Sequence, residues 1–159
     1  LIVKKRDNIV EKKIFGNIGM ASDHAGYKMK EYLKAWLIDE GYSVKDFGCH
    51  TAESCDYPDF AHPLAAAVSD GSCVFGISLC GSGNGINMVV NKHQKIRSAL
   101  CWNREIASLA RRHNDANICA LPARFLVPSD AQAIIAEFMN TDFEAGRHSI
   151  RIRKIPVDY

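Results

Sequence analysis

The stretch that most constrains this chain is Cys73 to Asn91, CVFGISLCGSGNGINMVVN. Its first half is a continuous apolar run of strand length, and its second half is a glycine-rich turn that opens into a helical pattern. A strand that feeds directly into such a turn belongs to an α/β fold, where ligands sit at the carboxyl ends of the strands. Cys80 stands at the lip of the turn, with Ser82 just beyond it.

The rest of the chain alternates in the same way. Ile14 to Ala21 reads as a buried first strand and ends in Ser22-Asp23-His24-Ala25-Gly26. Met29, Leu33, Trp36 and Leu37 then mark one helical face, which closes at Gly41. Tyr42 to Phe47 is a second strand, Gly48 to Tyr57 is polar and irregular, and Pro58 opens a helix continued by Phe60, Leu64, Ala67 and Val68. After the central strand come a helix from Gly83 to Asn91, a fourth strand from Ile96 to Trp102, and a helix marked by Ile106, Leu109 and Ala110. Ala116 to Leu121 supplies the fifth strand. Ser129 is expected to cap a last core helix carrying Ala131, Ile134, Ile135, Phe138 and Met139. A basic tail, Phe143 to Tyr159, begins as a helix in this reading.

Five strands alternating with helices predict a three-layer α/β sandwich around a parallel sheet of Rossmann or flavodoxin-like type, order 2-1-3-4-5. In that order the sheet reverses between strands one and three, so Asp23-His24 is expected beside Cys80-Gly81-Ser82. A single domain is expected over 14–159, preceded by an extension over 1–13.

Composition narrows the function classes. At 159 residues the chain is long enough for one hydrophobic core. With 47% apolar and 24% charged residues and a net charge of +2, it shows neither a membrane span nor the strong basic balance of a nucleic-acid binder. Cys49, Cys55, Cys73, Cys80, Cys101 and Cys119 contain no C-x-x-C pair and no zinc-ligand spacing. They read as reduced thiols of a cytoplasmic protein. The charged N-terminal segment has no apolar core of a secretory signal.

The chemistry-bearing residues each have a plain alternative. Cys80 is a thiol of ordinary pKa near 8.5 that a helix N-terminus favours as thiolate; otherwise it is an inert strand-end cysteine. The glycines Gly81, Gly83 and Gly85 are costly in a helix, and they favour a close backbone approach to a ligand. Their spacing is G-x-G-x-G after the third strand, which is not the dinucleotide fingerprint, and no P-loop lysine follows. A turn of amides for an anionic oxygen, an enediolate or a phosphate, fits better, with the Ser82 hydroxyl as an added donor. Asp23 and His24 read as an acid/base pair or as a cap and its neighbour. His113 and Asn114 lie where the fourth helix meets the fifth strand, a position also suited to a simple helix-end charge. Arg147 and Arg151, spaced i, i+4 with His148 beside them, suit a phosphate dianion or a solvated surface.

Taken together, ASDHAG from Ala21, Asp56-Tyr57-Pro58, CGSGNG from Cys80, Asn91-Lys92 with Ile96-Arg97, RRHNDAN from Arg111, and GRH with Arg151 resemble the type B ribose-5-phosphate isomerases of the ribose/galactose sugar-phosphate isomerase family. The resemblance runs in unbroken order from Asn17 to Arg151. It implies a metal-independent, cofactor-free aldose–ketose isomerase that interconverts ribose 5-phosphate and ribulose 5-phosphate through a cis-enediolate. On this chain it makes Cys80 the base between C1 and C2. Ser82 and the amides of Gly81, Gly83, Asn84 and Gly85 hold the enediolate, and Asp23 with His113 opens the ring. His24, Arg124, Arg147, His148 and Arg151 fall on the phosphate side, and Tyr57 and Asn114 line the sugar. It also implies a homodimer or homotetramer with sites shared between subunits. One branch of the family uses a glutamate after the glycine turn where this chain has Ile86, which leaves Cys80 as the base. A hexose 6-phosphate of galactose or allose type is the nearest alternative substrate. A non-catalytic sugar-phosphate binder would have no need of Cys80, Asp23 and His113 together.

Overall fold

The computed structural model describes residues 16–157; the expected extension over 1–13 and the first residues of the predicted opening strand lie outside them. The strands are β1 (Asn17–Ser22), β2 (Ser43–Asp46), β3 (Phe75–Cys80), β4 (Ser98–Leu100) and β5 (Ile118–Pro122). The helices are α1 (Tyr27–Asp39), α2 (Tyr57–Ser69), α3 (Asn84–Val90), α4 (Arg104–Asn114), α5 (Pro128–Asn140) and α6 (Arg147–Ile152). All strand pairs are parallel, and the three-layer α/β architecture is as the alternation predicts.

The strand order differs from the expected 2-1-3-4-5. It is β2-β1-β3-β5-β4. The physical reason lies in the two strands themselves. β5 is apolar and buried at every position, whereas β4 is three residues of intermediate exposure. A strand covered on both faces belongs inside a parallel sheet, and a short, half-exposed one belongs at its edge. Because the chain runs out to β4 and then back to β5, right-handed crossovers put α4 on the face opposite to α3.

The packing follows that division. One core joins Met29, Leu33 and Leu37 of α1, Ala107 and Ala110 of α4, and Ile134, Ile135 and Phe138 of α5 to Ile77 and Leu79 of the central strand. The other joins Ala61, Leu64 and Val68 of α2 and Ile86 and Val90 of α3 to Ala21, Ile118 and Cys80. The period of two along β3 thus sends Ile77 and Leu79 to one layer and Cys80 to the other. Among the described residues no helix is long and apolar enough to cross a membrane.

Two helix ends bear on the sequence reading. Gly41 takes φ +87° just past the cap of α1, the left-handed geometry that ends a helix. Ser129, in contrast, is not the cap of α5. Val127 occupies that position and Pro128 opens the first turn, where its missing N–H costs nothing.

Candidate active site

The carboxyl ends of β1 and β3 lie side by side. Ser22 pairs with Leu79, and the Asp23 N–H donates to the Leu79 carbonyl at 3.2 Å. Asp23 is buried, and its Oδ1 accepts the Gly26 N–H at 2.9 Å, so the carboxylate caps the turn rather than α1. A Cβ on Gly26 would meet the Leu79 carbonyl oxygen at 2.8 Å, so glycine is what lets the two loops close on each other. His24 is fixed from the irregular loop: its Nδ1 lies 3.3 Å from both the backbone nitrogen and the carbonyl oxygen of Cys55.

Cys80 ends β3 at 4% exposure, packed in the layer that contains Ile86 and Tyr57. Its turn is braced by the continuation of β5. The Ala123 N–H donates to the Cys80 carbonyl and the Arg124 N–H to the Gly81 carbonyl, both at 3.0 Å. The Arg124 side chain lies over Gly81, where a Cβ would meet its Cδ, Nε and Cζ at 3.3–3.4 Å. Gly83, at φ +75°, is the cap of α3 and faces Leu100 and the Leu121 backbone too closely for a side chain. Ser82 is exposed, and its Oγ accepts the Asn84 N–H at 3.3 Å. Gly85 lies under the Tyr57 ring: a Cβ there would be 2.7 Å from Cζ and 2.9 Å from Oη. The fold therefore gathers Cys80, Ser82, Asp23, His24, Tyr57, Gly81, Gly83, Asn84, Gly85 and Arg124 at one edge of the sheet. The arrangement offers a thiol, a carboxylate, an imidazole, a guanidinium and the free N–H groups of a helix start.

The remaining predicted residues lie at the opposite edge. His113 and Asn114 close α4, three residues before β5 begins, and therefore stand at the amino end of the sheet. The height of the sheet, on the order of 15 Å for strands of this length, separates them from Cys80. Arg97 fixes that helix end, donating to the Asn114 and Asp115 carbonyls at 2.9 Å. The ring of His148, in α6, stacks on that of His113 with centroids 4.4 Å apart and planes 8° from parallel. Arg147 and Arg151 share this short helix. Burial, together with the charges of His113, Arg147 and Arg151, holds the His148 imidazole below its usual range.

Sequence reasoning missed several participants. Glu144 joins the second group, 3.7 Å from His113 Nε2 and 3.9 Å from His148 Nε2. Arg112 pairs with it and holds its carboxyl below the usual range. Its spacing of four from His148 was the available signal. Cys49 and Cys55 shape the loop that holds His24; burial and the neighbouring Cys49 thiol push Cys55 up to about 11. Hollows of about 410, 420 and 460 Å³ lie along α4 and beside His93; of the residues grouped above only Arg112 lines one of them, the first.

Comparison with known proteins gives the arrangement its family. A sequence model described as Ribose/Galactose Isomerase matches residues 18–155. The chain belongs to the ribose/galactose isomerase family. It is accordingly a sugar-phosphate isomerase, an enzyme of the aldose–ketose class. Among its relatives, ribose-5-phosphate isomerase B of Escherichia coli is 36% identical over 138 residues, covering 87% of this chain and 93% of that protein. The solved ribose 5-phosphate isomerase of Thermotoga maritima superposes with a TM-score of 0.88 at 42% identity, covering 90% of this chain and 99% of that one. That of Mycoplasma genitalium, solved with bound ribulose-5-phosphate, gives a TM-score of 0.86 at 37% identity, covering 90% and 95%.

Proposed function

We propose that this family member interconverts ribose 5-phosphate and ribulose 5-phosphate, with Cys80 as the base. The observation that carries the reading is the juxtaposition of a buried thiol at the end of β3, a buried carboxylate at the end of β1, and a glycine turn rich in N–H groups between strand and helix. In the open-chain aldose the Cys80 thiolate removes the proton from C2. The electron pair moves to O1, giving an enediolate held by the N–H groups of Gly81 to Gly85 and the Ser82 hydroxyl. A proton then passes from O2 to O1, and the thiol returns its own proton to C1 as the C2 oxygen becomes the carbonyl. Tyr57 lies over the same turn and bounds the sugar.

Ring opening needs an acid for the ring oxygen and a base for the anomeric hydroxyl. Asp23 serves from the Cys80 edge and His113 from a second copy of the chain. Asn114 accompanies His113 against the sugar, Arg147, His148 and Arg151 meet the phosphate from that second copy, and His24 and Arg124 meet it from the first. The support for this division is the separation of the two groups to opposite edges of one sheet, which a homodimer with exchanged edges would bring together. The reading also takes the protein to be a cytoplasmic enzyme that needs no metal.

Turnover of ribose 5-phosphate in EDTA, run beside 6-phosphate hexoses and the Cys80→Ala variant, tests the reading. The pentose should be preferred, and Cys80→Ala should lower kcat by roughly 10²–10⁴ with an unchanged circular dichroism spectrum. Near-normal turnover by Cys80→Ala would remove Cys80 as the base. A preference for the hexose would keep the chemistry and change the substrate, and tight binding without turnover of any sugar phosphate would make the protein a binder.

A further inference from the structure

α4 ends at His113 and Asn114, and the residue after them closes it. The last carbonyls of a helix lack intrahelical partners, and a residue in the left-handed conformation, most often glycine, commonly ends the helix. Asp115 takes that place at φ +44°; among the described residues only it and Ala145 have positive φ without being glycine. Its N–H donates to the Arg111 carbonyl at 3.1 Å, and the Ala116 N–H donates to the Ala110 carbonyl at 3.0 Å. Glycine would make the same turn at no steric cost, so closing the helix does not by itself call for a carboxylate.

The carboxylate joins two guanidinium groups. Its Oδ1 accepts Arg111 Nη1 at 2.8 Å, and its Oδ2 accepts Arg97 Nη2 at 3.0 Å. Arg97 stands outside the helix, just ahead of β4. Its backbone N–H donates to Asn117 Oδ1 at 2.8 Å, and its carbonyl accepts the Asn117 N–H at 2.9 Å, so its place is set by the approach to β5. The same side chain reaches the open carbonyls of the helix end: Nε donates to Asn114 and Nη2 to Asp115, each at 2.9 Å. Arg111 is fixed in turn, donating to the Ala116 carbonyl at 2.6 Å, with its guanidinium 4.9 Å over the Phe75 ring. The turn that carries His113 and Asn114 is thus clamped between the sheet and the body of α4.

We propose that Arg97 and Asp115 are positioning residues: they hold the end of α4 in the orientation that presents His113 and Asn114 to a sugar at Cys80 of a second copy. That role rests on the proposed function; the clamp itself does not. The His113 ring is half-exposed, so where it points depends on the backbone that carries it. A general acid or base must come within roughly 2.6–3.2 Å of the proton it moves, and a misplacement of about 1 Å costs on the order of 10²-fold. Partly exposed ion pairs add little to stability, so their loss is read in turnover more than in melting temperature.

The test uses Arg97→Lys, which keeps the charge and loses the planar fork, and Asp115→Gly, which keeps the left-handed turn and loses the carboxylate. Each should fold, by circular dichroism, and lower kcat/KM for ribose 5-phosphate roughly 10–100-fold. Refolded in equal amounts with Cys80→Ala, each should recover about a quarter of wild-type turnover, because each mixed dimer then holds one site with both a thiol and a correctly held His113. Refolded with His113→Ala, neither should recover, since both chains then spoil the same half of the site. A variant that merely weakens the fold would not distinguish the two partners. Wild-type kcat/KM in both variants, or equal recovery with the two partners, would overturn the proposal. If Cys80→Ala and His113→Ala do not restore each other, the shared site fails instead, and the His113 ring decides the clamp. Its Cε1–H resonance, displaced by the ring current of the stacked His148, should move toward that of free imidazole in Asp115→Gly. An unmoved resonance would overturn the clamp.

Discussion

Gly85 shows how much a single side chain decides at this site. It lies in the first turn of α3, where alanine would ordinarily favour the helix by about 1 kcal/mol. Its missing Cβ is the space that Tyr57 fills, 2.7 Å from where that atom would stand. Gly85→Ala should therefore leave the melting temperature unchanged or slightly raised, yet lower kcat/KM by roughly 10–100-fold, because a displaced Tyr57 no longer bounds the sugar. Steady-state kinetics beside a thermal melt separates the two effects. Equal kcat/KM in wild type and variant would remove Tyr57 from the site. The glycines of this turn were legible in the sequence as an unusual cluster. The reason for Gly85 was not, because the ring that needs the space comes from a helix before the central strand. Glu144 escaped for a similar reason: its contact with His113 is made through tertiary packing alone.

At the scale of elements, β1, α1 and β2 are tied by ions as well as by apolar packing. The Lys30 ammonium of α1 is wholly buried and donates to Asp46 Oδ2, at the end of β2, at 2.5 Å. Lys34 joins the same oxygen at 2.7 Å, and Asp46 Oδ1 accepts the Gly48 N–H. Burial raises the cost of charging Asp46, but the two lysines prevail and hold its carboxyl below the usual range. A group whose folded pKa is depressed adds stability above its unfolded pKa, near 4, and loses it as pH falls through the lower folded value. Thermal melts from pH 6 downward should show that loss below about pH 4. Asp46→Asn should flatten this part of the profile and cost roughly 3 kcal/mol at neutral pH, about 6–12 °C in Tm, by leaving Lys30 with Glu31 alone. A variant as stable as wild type at pH 7 would contradict the account.

The same scale explains what the alternation of strands and helices did not reveal. Element types follow from apolar periodicity, so nearly every strand and helix was legible. The order of β4 and β5 depends on which strand must be covered on both faces. Ile118 to Pro122 is buried throughout, and Ser98 to Leu100 is not. That comparison was present in the sequence, but topology by analogy passed over it. Ser129 was read as a cap by residue type, whereas Pro128, one position earlier, already opened the helix.

For the whole molecule, the consequence of a parallel sheet is that a helix ending just before a strand ends at the amino edge. His113 therefore cannot share a substrate with Cys80 of its own chain, although both are needed if ring opening and proton transfer occur at one site. In the proposed arrangement a second copy of the chain supplies His113, and mixing inactive variants tests it most directly. Cys80→Ala and His113→Ala, each assayed alone, should be nearly inactive on ribose 5-phosphate. Unfolded together and refolded in equal amounts, they should recover about a quarter of wild-type turnover, because half of the dimers are mixed and each of those has one intact site. No recovery on mixing, with both variants folded and dimeric, would contradict the shared site.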